Sequence, residues 1–485
     1  MTVAFLAVAL VALVGATLVA SLTKNARVAA VAVVSSAVIL GASTVGLLAS
    51  VPRRGVVAAD HLILIDHLGV WVILCLAIVY LCASVYSVGY LRWVDVPTHR
   101  HHWYYALIAG FALVMLLSAV QNNPALYWIA IDLTTLVSAL AVGFERNRRT
   151  VEAAWRYLII VSAGLALALV GTVIFYLAGT RFLGPSYRLT WHEFAVMAPH
   201  ASIALLVFGF LLILAGYGTK VGLVPFHTWL PDAHSEGPAP VSAMLSGALL
   251  NCAMLGIVRF LGVLSRSGAF EPARTVLVVV GLASVLVATL FLLRQRVVKR
   301  LAAYSSIEQM GMIAIGFGFG GPLGVVGALY VMLAHSLTKP LVFFGSGIAL
   351  YGYGSRYIGA VTRFGKAYPY AGILWLIGAV SITGAPPFAV FLGELVILRA
   401  GVRTPNLWAV WILGVLLIII FIAFLGHFLK MFFGREGEPK ISLHLSWEIL
   451  APMTVLAVAV LVLGVWWPHP VLAYFLTISR SLRGA

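Results

Sequence analysis

Gly216-Tyr-Gly-Thr-Lys220-Val-Gly-Leu-Val-Pro225-Phe-His227-Thr-Trp-Leu-Pro231-Asp232-Ala-His234 closes an apolar run that starts at Ala201. An ammonium group in so apolar a segment costs about 2.5–3.5 kcal/mol on insertion scales. Pro225 and Pro231 interrupt helical hydrogen bonding just beyond it, and irregular backbone at membrane depth is tolerated only beside protein or a wet cavity. His227 and His234 flank the interruption, with Asp232 and Glu236 beside them. A charge, a broken helix and two imidazoles, which titrate near neutral pH, point to a proton path.

The rest of the chain supplies the setting. Of its 485 residues 62% are hydrophobic and only 9% charged, with a mean hydropathy of +1.06. Soluble domains are about 25% charged, so composition implies an all-α polytopic membrane protein without a sizeable aqueous domain. The formal charge of +16 does not mark a nucleic-acid partner, because Lys and Arg fall in short loops between apolar runs, where they set topology. Cys75, Cys82 and Cys252 form no Cys-x-x-Cys pair or Cys/His cluster, so neither iron–sulfur nor zinc is expected. No phosphate loop, dinucleotide fingerprint or Ser-His-Asp pattern is present. No cofactor, metal or redox centre of the chain's own is therefore expected. The first run lacks a basic leader and meets its first lysine at Lys24, which reads as a spanning helix and not a cleaved signal.

Runs long enough to cross about 30 Å of hydrocarbon lie at 2–22, 27–50, 62–90, 104–120, 124–143, 154–180, 201–230, 240–263, 274–294, 301–318, 323–350, 370–400, 407–433 and 447–476. The seventh and twelfth are long and Pro-interrupted, each reading as two half-helices. They share a grammar: Lys220 before Pro225-Phe226 in one, Gly384-Ala-Pro386-Pro387-Phe388 before Glu394 in the other. Paired broken helices in two halves of a transporter mark inverted repeats and a midplane ion site. The expected division is helices 1–3 over 1–103, a first five-helix repeat (helices 4–8) over 104–263, a second (helices 9–13) over 274–433, and helix 14 over 447–476. The bias of Lys and Arg puts the Arg146–Arg149 and Arg294–Arg300 loops in the cytoplasm. Both termini then face the extracytoplasmic side of a cell (inner) membrane.

Asp132, inside the fifth span, is the expected partner of Lys220; satisfaction by Thr134, Thr135 or a carbonyl is the alternative. Lysine suits such a task because it can lose its proton when desolvated, whereas arginine effectively cannot. His227 and His234 are read as a proton entry route, and Asp232 either joins them or only caps a helix. His335 and Lys339 stand four apart and share a helix face. With Glu394 they form a candidate second half-channel, the alternative being a Lys339–Glu394 ion pair that only joins two helices. Glu308 is either part of the path or paired with Lys299 or Arg300 at the cytoplasmic surface. Glu145, Glu152, Glu193 and Glu271 read as solvated.

The Lys220–Pro240, Ala303–Gly311, His335–Gly347 and Gly384–Glu394 stretches resemble the signature segments of a known family. It comprises the antiporter-like subunits of respiratory complex I, Mrp sodium/proton antiporters and membrane-bound hydrogenases. The resemblance covers most of the chain and implies fourteen helices, inverted repeats and buried mid-membrane charges. It also implies proton translocation driven by redox chemistry in partner subunits. By this resemblance Asp132 stands for the family's helix-5 glutamate, Lys220 for the helix-7 lysine and Glu394 for the helix-12 terminal residue. Two departures count. Asp132 is one methylene short, and Asn251, which cannot hold a proton, stands where many complex I members carry a helix-8 lysine. The central relay then runs through water or His335. Glu308 and Asn251 look more like the antiporter-like component of the hydrogenase-4 and formate hydrogenlyase type than like complex I proper.

The expected function is therefore a proton-translocating membrane subunit within a hetero-oligomeric complex that carries a peripheral redox or other driving module. Asp132–Lys220 is the input pair and Lys339–Glu394 the output. Two rivals stay open. One is a cation/proton antiporter component (Na+ in place of H+) or an ion-coupled component of an inorganic-carbon uptake system. The other is a non-pumping scaffold.

Overall fold

In the computed structural model, which describes residues 1–434 and 439–482, helix follows helix with short connections. The α-helices are α1 Thr2–Leu22, α2 Ala26–Ser50, α3 His67–Tyr90, α4 His101–Ala119, α5 Pro124–Val142, α6 Arg148–Leu183, α7 Trp191–Met197, α8 Ile203–Val221, α9 Trp229–Glu236 and α10 Ala239–Met244. They continue with α11 Leu250–Val263, α12 Phe270–Leu293, α13 Val298–Phe319, α14 Gly321–Tyr353, α15 Phe364–Ala367, α16 Pro369–Ile382, α17 Ala389–Val402, α18 Leu407–Phe433, α19 Trp447–Val465 and α20 His469–Ser481.

Among the described residues, twelve helical segments are long and apolar enough to cross a bilayer unaided. The other two expected spans are built differently. The tenth is α13, 22 residues long but carrying Lys299, Arg300, Glu308 and Gln309. The twelfth is assembled from two 14-residue helices, α16 and α17. The third starts later than its hydropathy implies. Residues 63–65 pair with 56–58 as a short hairpin (β1 Val56–Ala58, β2 Ile63–Ile65), and the helix begins only where Asp66 accepts the Gly69 N–H at 2.8 Å. That carboxylate also takes two hydrogen bonds of 3.0 Å from Arg259 of α11, tying the hairpin end to the bundle interior.

Burial grades inward. The α10–α11 span and α14 are enclosed on all sides, although they carry Asn251, Arg259, His335 and Lys339. Helix α14 lies against α3, α10, α13, α16, α17 and α19, while α8 packs on α6 and α11. Where α10 meets α11, residues Leu245–Leu249 form a π-helical turn, a widening that often sits at functional sites.

The seventh span breaks earlier than its prolines. Helix α8 ends when Gly222 turns left-handed (φ 83°), and its N–H and that of Leu223 return to the Gly218 carbonyl at 2.9 and 2.8 Å. A glycine closure of this kind satisfies end carbonyls without a side-chain cap, and Lys220 is left in the last turn. There the helix dipole favours a cation. Pro225 lies in the following loop. Gly384, between α16 and α17, is likewise left-handed (φ 67°).

Candidate functional site

Lys220 is wholly buried, and its Nζ donates to Thr135 Oγ1 at 2.8 Å and to Tyr157 OH at 2.5 Å. The Tyr157 ring lies beneath it, 4.9 Å from nitrogen to centroid, and Tyr157 OH shares a 2.7 Å bond with Ser138. Helices α5, α6 and α8 thus each give one wall. Asp132 makes no ion pair with Lys220; its Oδ1 accepts from Ser162 at 3.4 Å. The expected direct pair is replaced by a hydroxyl cage. Thr135, one turn beyond Asp132 on the same helix, takes the lysine, and the aspartate meets Ser162 of α6 instead. Asp132 still lies within electrostatic reach of the amine.

Lys339 is held in the same style. Fully buried on α14, it donates to the Ala302 carbonyl at 3.0 Å and to Ser305 Oγ at 2.6 Å, both on α13. One turn earlier, His335 Nε2 lies 3.1 Å from the Ser246 carbonyl in the π-helical turn and 3.4 Å from its hydroxyl, which in turn meets Ser306 at 2.8 Å. Asn251 Nδ2 donates to Ser336 Oγ at 2.9 Å, while its Oδ1 is buried without a partner. The two lysines are therefore separated by Asn251, serines and His335.

The alternative reading, a Lys339–Glu394 ion pair joining two helices, is not realised. Glu394 Oε1 lies 3.3 Å from Gln309 Nε2, which also sits 3.0 and 2.9 Å from the two oxygens of Glu308. The α14 lysine points at α13 carbonyl and hydroxyl groups one turn before Glu308, and Glu394 meets Gln309 instead of the lysine. Nor does Glu308 reach the surface cations. It is buried, Lys299 donates instead to the Gly237 carbonyl, and Arg300 takes Asp232 at 2.8 Å. Asp232 also meets Arg156 at 3.4 Å; α9 begins after Thr228, so Asp232 is no cap but an ion-pair clasp between α6, α9 and α13. His234 is buried with both ring nitrogens unpaired, stacked 5.1 Å from Phe343. His227 is half-buried in the break, beside exposed Pro225, Phe226 and Thr228.

Tyr157, Ser305, Ser246 and Ser336 do not stand out in the sequence as parts of a site. Ser and Thr are common in spanning helices, whereas Gln309, beside Glu308 in the middle of an apolar run, carried a visible signal. Among the described residues no cluster of three or more metal-binding side chains forms.

A cavity of about 620 Å³ opens at the end of the bundle that carries Arg149, Glu236, Lys299 and Arg356, with Glu145 and Tyr351 also in its wall. Glu145, in the loop between α5 and α6, is not solvated as expected: it is partly buried and accepts from Tyr351 at 3.3 Å. Burial raises its pKa above the usual carboxyl value, only partly offset by nearby Lys299. A carboxyl whose folded pKa is raised costs nothing below the unfolded value and destabilises as the pH climbs through the folded one. Glu145→Gln is thus expected to unfold at a higher temperature than the parent at neutral pH. The gain should vanish below about pH 4 in thermal scans of detergent-solubilised protein. A gain that persists in acid contradicts burial as its cause.

The enclosed lysines and glutamates define a class: multi-pass membrane proteins that hold a line of ionisable side chains inside the bundle. A model of the NADH:quinone oxidoreductase/Mrp antiporter transmembrane family matches residues 122–420, and the chain belongs to that family. It is 36% identical over 431 residues to the hydrogenase-4 component F homolog of Methylacidiphilum infernorum (isolate V4), covering 87% of this chain and 88% of the relative. Its fold matches a chain in the membrane-bound sulfane sulfur reductase, an archaeal respiratory membrane complex, with TM-score 0.88 at 21% identity, over 99% of this chain and 97% of the other. A chain of the Mrp complex from Dietzia sp. DQ12-45-1b matches with TM-score 0.86 at 18% identity, over the same shares.

Proposed function

We propose that the chain moves protons across the membrane as a subunit of a redox-driven, multi-subunit complex of the hydrogenase-4 or NADH:quinone oxidoreductase kind, with no redox centre of its own. One observation carries this: Lys220 is fully enclosed yet bonded to hydroxyls and not to a carboxylate. A hydroxyl accepts from an ammonium and donates to a free amine, so the cage tolerates both protonation states, whereas a contact carboxylate would hold the charged one. Lys339 has the same kind of partner in Ser305.

In this reading protons enter through His227 and His234 to Lys220, whose charge Asp132 biases from a distance. They pass by way of Asn251, Ser336 and His335 to Lys339, and leave through Glu308 and Glu394. Carrying a unit charge through the membrane potential costs about 2.3 kcal/mol per 100 mV. A swing of about two pKa units supplies about 2.7 kcal/mol, so small charge movements in neighbouring subunits are enough. Helices 4–8 (104–263) and 9–13 (274–433) act as two inverted repeats, each with one broken helix and one enclosed lysine. The basic cavity end faces the cytoplasm and both termini face outward from a cell (inner) membrane. The partners are other membrane subunits, a peripheral driving module and lipid.

The test is a purified complex in proteoliposomes carrying Asp132→Asn, Lys220→Met and Glu394→Gln together. Proton uptake per electron transferred is expected to fall by this chain's whole share. Unchanged coupling in the assembled triple variant would make the chain a scaffold, and uptake that requires sodium would make it a cation exchanger.

A further inference from the structure

Glu308 on α13 and Glu394 on α17 meet on a single side chain. Each has a carboxyl oxygen within 3.3 Å of Gln309 Nε2. Both glutamates are enclosed, and among the described residues neither is in an ion pair. An amide NH2 has two hydrogens, enough for one bond to each carboxyl and no more. Gln309 Oε1, the other end of that amide, is buried without a partner. Two full negative charges in this space have too few donors, and carboxylates that share a site keep one proton between them. The nearby cation fits that count. Lys339 binds Ser305 and Ala302 on α13, one turn before Glu308 and Gln309, so one positive charge faces a pair with one net negative charge.

The remaining geometry gives the pair a direction. Glu308 shares α13 with Ala302 and Ser305, the partners of Lys339. Glu394 lies against the backbone of Gly384 at the break between α16 and α17, where a Cβ would overlap its carboxylate. Two residues on, Pro386 and Pro387 are exposed.

We propose that Glu308 and Glu394, bridged by Gln309, form one proton-holding site that carries a single shared proton and is filled from the Lys339 side and emptied at Glu394. Gln309 is a positioning residue that keeps the two carboxyls in register. In the filling step an N–H bond of the Lys339 ammonium breaks and an O–H bond forms on Glu308, leaving a neutral amine. The proton that Glu394 held leaves at the break, and the one on Glu308 moves across to Glu394. This deepens the transport reading above and rests on it for direction; the count of protons does not.

The experiment is infrared spectroscopy of the purified complex with 13C-labelled glutamate, following the C=O stretch of protonated carboxyls. Subtracting the Glu308→Gln/Glu394→Gln double variant from the parent is expected to leave the amplitude of one carboxylic acid near neutral pH, equal in sodium and potassium media. An amplitude of two acids or of none overturns the shared proton, and its loss on adding sodium makes the site a cation site instead. Gln309→Met, close in shape, is expected to move the pH range over which that band titrates and to slow proton uptake roughly tenfold to 100-fold. An assembled Gln309→Met variant with the parental titration and pH profile removes Gln309 from the site. If transport proves absent from this chain, the infrared count still reads the proton, so the two failures remain distinct.

Discussion

Lys220→Arg is expected to stop proton uptake as completely as Lys220→Ala, although it keeps the positive charge. The ammonium is enclosed by Thr135 and Tyr157 and lies over the tyrosine ring. Arginine there stays charged, because its guanidinium does not release a proton under protein conditions. It also brings five donors to a cage built around two hydroxyl acceptors. Alanine removes the titrating group and leaves Thr135 and Tyr157 to bond each other or water. Both variants should lose roughly 10²-fold or more of the chain's proton transfer, the scale on which removal of a placed proton-transfer group acts. They should still assemble, since Lys220 holds no ion pair. The measurement is dye-reported proton uptake per electron in proteoliposomes, beside native gels of the complex. Parental uptake in a fully assembled Lys220→Arg variant refutes the role given to the amine.

Gly384→Ala is expected to come second in effect, and for a different reason. A side chain at left-handed φ costs about 1–2 kcal/mol, which the fold can absorb. The larger effect is steric, because the added methyl group would occupy the space of the Glu394 carboxylate. That carboxyl must leave its present position, and a 1 Å displacement of a reacting group costs about 100-fold in rate. Gly222→Ala is the matched control. It meets the same backbone penalty (φ 83°), but its methyl group would press on the flexible end of Leu230 and touch no ionisable group. Proton uptake should fall much further in Gly384→Ala than in Gly222→Ala, while both lower thermal stability. Equal losses would mean that the break matters only as a hinge of the fold.

Helix class and the approximate positions of the twelve long apolar spans among the described residues were legible in the chain, because lipid leaves the backbone few options. Every apolar run of sufficient length must satisfy its own hydrogen bonds as a helix, and any Lys or Glu kept within one stands out by its cost. Lys220, Lys339, Glu308 and Glu394 could therefore be picked from sequence and are indeed enclosed. Partnerships were not legible. Opposite charges on different helices invite pairing on paper, yet Lys220 chose Thr135 and Tyr157 over Asp132, and Lys339 chose Ser305 and a carbonyl over Glu394. Hydroxyl side chains carry no hydropathy signal strong enough to separate a ligand of the ammonium from an ordinary packing residue.

Asp232 shows the same limit from the other side. Its place before a helix suited a cap, but Arg156 and Arg300, distant in sequence, claim it as an ion-pair clasp. Which groups are stranded in an apolar medium follows from the order of residues alone, because hydropathy is read along one dimension. Which of those groups touch was fixed only when the helices packed, because contact depends on the rotation and depth of each helix against its neighbours. An error of one residue in either turns a side chain by about 100° around a helix axis.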